Sequence, residues 1–114
     1  MVAQRELVLL SYPFSDMSAS KVRPAIIISN DKYNSEFSDA IVVPVTSNVQ
    51  SRKHAISLSN ADLETGHLVT ESVIKVDRIL SVKQSLVRKS IGKVKTGVLS
   101  SIRKVLLGLI DGQQ

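Results

Sequence analysis

The chain has 114 residues, no cysteine and a formal net charge of +5. This length is typical of a single domain, residues 1–114, with one hydrophobic core. The lack of cysteine excludes disulfide bonds and thiolate metal sites, and the two histidines are far apart, so we expect no metal and no cofactor. No apolar run reaches the roughly 20 residues of a membrane span, so we expect a cytoplasmic protein. The basic excess favours a polyanionic partner, nucleic acid first.

The N-terminal part of the chain predicts one strand followed by a polar loop. Glu6–Tyr12 is apolar and stops at Pro13, which cannot donate a ladder hydrogen bond. The loop Phe14–Val22 contains two charged residues, Asp16 and Lys21. Loops at the edge of a sheet commonly carry binding residues.

Two apolar runs rich in β-branched residues, Arg23–Ser29 and Ala40–Ser47, form the centre of the predicted fold. Their continuous apolar character is typical of strands buried on both faces. The segment between them contains turn-forming residues, which are Asn30, Asp31, Asn34 and Ser35. We therefore predict two central strands joined by a turn.

Polar side chains lie at the ends of these two strands. Arg23 opens the first strand, and Thr46 and Ser47 close the second. If the strands are antiparallel, these ends lie at the same edge of the sheet. A guanidinium and two hydroxyls at one edge form a plausible phosphate-binding arrangement.

The second half of the chain predicts further short strands and one helical turn. The turn falls within Asn60–Gly66 and is capped by Ser59 or Asn60. The predicted strands are His54–Leu58 (an edge strand), Ser72–Asp77, Ile79–Val82 and Ser90–Val94. Since residues i and i+2 of a strand lie on the same face, Lys75 and Asp77 are predicted to point the same way.

From Thr96 onward the apolar residues follow a helical period. They are Val98, Ile102, Val105, Leu106 and Leu109. Thr96 is a candidate N-cap and Gly112 a candidate C-terminal stop. Short strands followed by one helix predict a mainly β fold, a small β-barrel or half-barrel with the helix packed against it.

Several of these segments together resemble the MazF/PemK (Kid) family of toxins. The Arg23–Ser29 run resembles the family's "RPA" strand, and Val43–Ser47 resembles the following strand that ends in "P-[IV]-T-S". Three weaker similarities fit the family's order: Leu7–Leu10 before these two segments, and after them Gly66–Leu68 with Ser72 and Val73, and Ile91–Val94. The resemblance covers nearly the whole chain.

This resemblance implies an SH3-like barrel and a homodimer. It also implies a type II toxin, a sequence-specific endoribonuclease (mRNA interferase) that cuts single-stranded RNA without a metal ion and is blocked by a cognate antitoxin. It implies that Arg23 and Thr46 act at the scissile phosphate. Some members add a basic residue and an aspartate two positions later, and Lys75 and Asp77 occupy those places. In the family that basic residue is usually arginine.

The loop before Arg23 departs from the family pattern. Many members have a glutamate there, and Ser18 or Ala19 falls at that position in this chain. A metal-free nuclease needs a base for the 2′-hydroxyl proton. Asp77 is the first candidate for this base, and Asp16 in the loop is the second.

We assign four residues as candidate RNA contacts: Asp16, Lys21, Ser47 and Ser72. Each site residue also has a structural explanation. Thr46 with Ser47 can form a turn that bonds its own backbone, and Lys75 with Asp77 can be a surface ion pair. A solvated basic face accounts for Lys83, Arg88, Lys89, Lys93 and Lys95, and both histidines are expected to be structural or solvent-exposed.

Two other functions are compatible with such a barrel. One is a degenerate family member that binds RNA or an antitoxin without cutting, which the missing loop glutamate favours. The other is a CcdB-like gyrase poison. Those toxins resemble one another in an aromatic, hydrophobic C-terminus, whereas this chain ends in Ile110–Gln114 without tryptophan, which disfavours the gyrase poison.

Overall fold

The computed structural model describes residues 1–11, 22–49 and 53–112. Within these ranges the chain forms eight strands: β1 (Glu6–Ser11), β2 (Val22–Ile27), β3 (Asp39–Thr46), β4 (Ala55–Leu58), β5 (Leu63–Gly66), β6 (Ser72–Lys75), β7 (Leu80–Lys83) and β8 (Val87–Val94). The same ranges hold two α-helices, α1 (Asp31–Glu36) and α2 (Thr96–Asp111), and three single-turn 3-10 helices, Asn60–Asp62, Val76–Arg78 and Gln84–Leu86. The predicted fold class, mainly β with a C-terminal helix, is confirmed.

The strands form one curled, half-barrel sheet in the order β4-β6-β3-β2-β1-β8-β5, and every pairing is antiparallel. Strand β3 pairs with β2 on one side. On its other side, Asp39–Val42 pairs with β7, and Val45 and Thr46 pair with β6. Pro44, which has no N–H to donate, falls between these two pairings. The change of partner at Pro44 brings β6 next to the end of β3.

The central strands are apolar without alternation because both faces of the sheet are covered. Leu7 and Ile26 lie in a buried cluster that also contains Ile102 of α2. The next residues along each strand, Val8 and Ile27, lie in a second buried cluster. Successive residues of a strand point to opposite faces, so each strand contributes to both clusters. Val43 and Val42 of β3 likewise lie in the first and the second cluster. The prediction that the two central strands are buried on both faces therefore holds for their middle residues, whereas Val22 and Arg23 at the start of β2 are exposed.

The connection between β2 and β3 contains a helix, α1, where the sequence predicts only a turn. Asn30 caps this helix, and its side chain accepts a hydrogen bond of 2.8 Å from the backbone N–H of Tyr33. The Asn34 side chain is buried and donates to the backbone carbonyl of Ser29 at 3.0 Å. The polar residues of this connection therefore stabilise a short helix, and the prediction of a simple turn is wrong.

Helix α2 follows the predicted apolar period, with Val98 and Ile102 buried against the sheet. Its end is as predicted, since Gly112 takes the left-handed conformation (φ 77°) that stops the helix. Its start is not. Lys95 is the N-cap residue and Thr96 is already helical, so the prediction of Thr96 as N-cap is wrong.

The predicted turn after Ser59 is present as Asn60–Asp62, with Asp62 accepting a hydrogen bond from the Ser59 N–H at 2.8 Å. The strand that follows, β5, was not predicted from the sequence. This strand pairs with β8, and Gly66 lies opposite Gly92.

Gly66 has a positive φ of 89°, and a Cβ there would overlap the backbone of Ile91. We expect Gly66→Ala to lower the free energy of unfolding by about 1–3 kcal/mol, because the conformation is strained for any L side chain. The control is Gly97→Ala in the first turn of α2, where a Cβ meets nothing within 4 Å. Urea unfolding of both variants measures the difference, and equal midpoints would contradict this prediction.

Candidate functional site

The antiparallel register of β2 and β3 places two of the predicted site residues at one edge of the sheet. Ala25 lies opposite Pro44. Arg23 and Thr46 each lie two residues further along their own strand, in the direction of the same edge. The polar ends of the two buried strands therefore meet, because the apolar residues behind them fix the register.

A cleft of about 580 Å³ opens at this edge. All four residues assigned to catalysis line it: Arg23, Thr46, Lys75 and Asp77. The wall between them is partly apolar and includes Pro44 and Leu80. Four strands (β2, β3, β6 and β7) and a 3-10 turn thus contribute to one concave surface, which is the usual form of a small-ligand or substrate site.

The backbone that presents Asp77 is not the predicted strand. Strand β6 ends at Lys75, and residues Val76–Arg78 form a 3-10 turn. Val76 is buried, while Asp77 and Arg78 both line the cleft. The prediction of a strand through Asp77 is therefore wrong. Lys75 and Asp77 nevertheless reach the same cleft.

Arg78 is a cleft residue that the sequence analysis missed. In a continuous strand, Arg78 and Asp77 would point to opposite faces. The 3-10 turn removes this alternation and turns both side chains toward the cleft. The only signal in the sequence is that Arg78 directly follows the candidate aspartate.

The charges of the cleft favour an anion. Its described lining carries three cationic side chains, those of Arg23, Lys75 and Arg78, and one carboxylate, that of Asp77. Lys75 and Asp77 are half-buried, whereas both arginines are exposed. Arginine binds phosphate through a planar fork of donors. The arrangement therefore suits a phosphate group whose charge increases during a reaction.

Thr46 forms the local turn that its sequence context also allows. Its hydroxyl oxygen accepts a hydrogen bond of 3.2 Å from the backbone N–H of Asn48. A hydroxyl that accepts one hydrogen bond can still donate its own proton. The turn fixes the side chain at the cleft and leaves the proton to donate to a ligand.

A second pocket of about 400 Å³ adjoins the cleft, and Arg23, Val45 and Thr46 line both. Two of the candidate RNA contacts, Ser47 and Ser72, line this second pocket. Ser47 is exposed, but Ser72 is buried, and its hydroxyl donates to the carbonyl of Thr70 at 3.2 Å.

His67 is exposed and lines this second pocket. Exposure agrees with the sequence analysis, but that analysis gave His67 no place at the site. The other two candidate RNA contacts, Asp16 and Lys21, lie outside the described residues, as do Ser18 and Ala19.

Most of the basic residues assigned to a solvated face are exposed, and Lys93 is half-buried. None of the five lines either pocket, although Arg88 donates to the Ser11 hydroxyl at 2.7 Å. The described residues contain no group of three or more metal-ligand side chains that could hold a metal ion. In the same ranges, no helix is long and apolar enough to cross a membrane.

Comparison with protein families connects this site to a known class. Residues 3–110 match the model of the PemK-like, MazF-like toxins of type II toxin–antitoxin systems. The chain belongs to this family. The family resemblance carried by the Arg23 and Thr46 segments is therefore confirmed. A search of curated protein sequences found no significant match.

Several solved structures share the fold. MazF from Deinococcus radiodurans superposes with a TM-score of 0.76 at 23% identity, covering 96% of each chain. A MazE–MazF complex from the same organism gives 0.72 at 23% identity, covering 99% of this chain and 98% of the other. An endoribonuclease from a mycobacterial species, solved with its cognate antitoxin, gives 0.75 at 15% identity and covers 97% and 96%.

Proposed function

We propose that the chain is a toxin that cleaves single-stranded RNA in the cytoplasm without a metal ion and is inhibited by a cognate antitoxin. One observation carries this proposal. A single cleft in a PemK-like, MazF-like fold contains Arg23, Thr46, Lys75 and Asp77, which together can serve every step of RNA transesterification. The mycobacterial relative that shares the fold is an endoribonuclease, which supports the assignment.

RNA supplies its own nucleophile, the 2′-hydroxyl next to the scissile phosphate. In the proposed reaction the 2′-oxygen forms a bond to phosphorus and the bond from phosphorus to the 5′-oxygen breaks. The products are a 2′,3′-cyclic phosphate and a 5′-hydroxyl. The 2′-hydroxyl gives up one proton and the 5′-oxygen takes one up. The protein therefore has to accept a proton, donate a proton and stabilise the added charge on phosphorus.

Arg23 and Thr46 stabilise the transition state in this proposal. The Arg23 guanidinium is permanently charged and binds two phosphoryl oxygens at once. The Thr46 hydroxyl donates to a phosphoryl oxygen. Preorganised donors of this kind usually make the largest single contribution to catalysis. Arg78 adds a second guanidinium to the same cleft.

Asp77 is the proposed base and Lys75 the proposed acid, or the cation that tunes Asp77. Both are half-buried in the cleft, where interactions between charges are stronger than in bulk water. Asp16 is the alternative base. In addition to these catalytic roles, four residues remain candidate RNA contacts: Asp16, Lys21, Ser47 and Ser72.

Metal independence is the first test of this function. The cationic side chains of the cleft supply the positive charge that a divalent ion supplies in many nucleases. We expect the purified protein to cut long single-stranded RNA at the same rate with and without excess chelator, as gel electrophoresis of the products would show. Loss of cleavage in chelator, with recovery on adding magnesium, would contradict the metal-free reaction.

We also propose a symmetric homodimer bound by an acidic antitoxin segment. A small half-barrel leaves strand edges to cover, and two-fold pairing is the commonest solution. The net charge of +5 suits an acidic partner, and the family relative from Deinococcus radiodurans forms a MazE–MazF complex. For the protein alone, light scattering should give twice the chain mass of 12.4 kDa. With the co-encoded antitoxin it should give a larger mass, and this complex should not cleave RNA. A monomer at micromolar concentration, or an antitoxin without effect on cleavage, would count against these two assignments.

The alternative is a family member that binds RNA or antitoxin but does not cut. The absence of a glutamate from the loop before Arg23 favours it. Filter binding and cleavage measured on the same RNA separate the two, because a degenerate member retains only the first. A CcdB-like gyrase poison would instead inhibit DNA supercoiling, and the family match argues against it.

A further inference from the structure

The 3-10 turn Val76–Arg78 presents two charged side chains to the cleft, those of Asp77 and Arg78. A 3-10 turn has poorer hydrogen-bond geometry than an α-helix, and this one is only three residues long. Among the described residues, no side chain caps its start at Lys75. Its position therefore depends largely on how its buried residue is packed.

Val76 is that residue, and it anchors the turn in the hydrophobic core. It is fully buried in the cluster that also contains Leu58 of β4 and Ile102 of α2. Both β4 and α2 pack against the turn, and Val105 and Leu106 of α2 pack against the same cluster. No described residue of β4 or α2 lines the cleft. The turn is thus fixed by elements that lie outside the site.

The anchored residue and the two cleft residues are consecutive, so a shift of one displaces the others. A 3-10 helix has three residues per turn, so the side chains of Val76, Asp77 and Arg78 leave the backbone in three different directions. With Val76 in the core, its two neighbours reach the cleft. Because protein interiors are close-packed, truncation of Val76 leaves a void into which the turn can shift. A displacement of about 1 Å at a reacting group can lower a rate about a hundredfold.

We propose that Val76 is a positioning residue, whose packing in the cluster shared with α2 holds the Asp77 carboxylate where it can accept the 2′-hydroxyl proton. This inference rests on the proposed function, because it explains how the proposed base is placed. Val76 does not contact the substrate and acts through Asp77. The inference also gives α2 a part in catalysis, through the side of the helix that carries Ile102.

The first experiment compares Val76→Ala with a matched control, Val94→Ala. Val94 lies on β8, is fully buried in the same cluster and lines neither pocket. In steady-state cleavage of an RNA oligonucleotide, Val76→Ala should lower kcat about ten- to a hundredfold and leave KM nearly unchanged. Val94→Ala should keep the parental kcat at a temperature at which circular dichroism shows both variants folded. Equal losses of kcat would indicate a general loosening of the core and overturn the inference.

The second experiment asks whether Val76 acts through Asp77. In a double-mutant cycle, Val76→Ala should lower the cleavage rate of the parent but have little further effect on Asp77→Asn. Losses that multiply would show that Val76 acts independently of Asp77, and the inference would be wrong. If Val76→Ala does not fold, Ile102→Val provides the same test, because it removes only one methylene from the cluster. Its smaller loss of kcat should also disappear in the Asp77→Asn background.

A third measurement does not depend on cleavage. In NMR spectra of protein containing isotope-labelled aspartate, the resonance that is lost in Asp77→Asn reports the surroundings of this carboxylate. It should shift in Val76→Ala and Ile102→Val and keep the parental position in Val94→Ala. If the parent cuts no RNA, the proposed function fails while this measurement still tests the anchoring of the turn. If RNA is cut but Val76→Ala keeps the parental resonance and kcat, the positioning role fails alone.

Discussion

Arg23→Ala should lower the rate of RNA cleavage by about two to three orders of magnitude, equivalent to roughly 2.7–4 kcal/mol of lost transition-state stabilisation. The reason is its position. Arg23 lies at the meeting edge of β2 and β3 and lines both pockets, so its charge faces the phosphate whichever residue is the base. Single-turnover cleavage of an RNA oligonucleotide measures the loss directly.

Two further variants show whether the effect belongs to the site. Arg23→Lys keeps the charge and loses the planar fork, so its rate should fall between those of the parent and the alanine variant. Arg103→Ala removes an exposed arginine from α2, outside the cleft, and should cut at the parental rate. Equal rates for Arg23→Ala and Arg103→Ala would remove Arg23 from the mechanism.

Asp77→Asn should lower cleavage by about 10²–10⁴-fold, the usual contribution of a general base. Asparagine has nearly the same shape as aspartate, but it cannot accept the 2′-hydroxyl proton. RNA affinity and thermal stability should therefore stay close to those of the parent. Cleavage rate, RNA binding and the unfolding temperature, measured on one preparation, test this combination of effects.

The competing assignment places the base in the loop before β2, at Asp16. Asp16→Asn is therefore compared with Asp77→Asn, and Asp111→Asn at the exposed end of α2 is the neutral control. If Asp77→Asn cuts as fast as the parent while Asp16→Asn does not, the base is Asp16. If neither aspartate matters and Arg23 does, the protein acts mainly by stabilising charge.

The fold was largely predictable because its central signal is strong. The middle of strands β2 and β3 is continuously apolar, since consecutive residues such as Ile26 and Ile27 are buried in two different clusters. The register of these strands then determines that Arg23 and Thr46 share an edge. Burial and pairing thus account for the half of the site that the sequence places correctly.

The other half depends on local backbone geometry that the residue pattern does not distinguish. Val76 is buried in the observed 3-10 turn. A continuous strand would bury Val76 as well, so the pattern of apolar residues around it fits either structure. Lys75 and Asp77 line the same cleft as Arg23 and Thr46 although the strand predicted through Asp77 is wrong, and the same error hid Arg78. Likewise α1 depends on the Asn30 side chain capping the helix, whereas the same polar residues also favour a turn.

The most direct test of the account uses an RNA oligonucleotide with a single 2′-deoxy substitution at the nucleotide on the 5′ side of the cut, in the presence of chelator. The all-RNA substrate should yield a 2′,3′-cyclic phosphate and a 5′-hydroxyl, identified by mass spectrometry, and the substituted one should stay intact. Cleavage of the substituted substrate, or products with a 3′-hydroxyl and a 5′-phosphate, would show that the nucleophile is water and contradict the account.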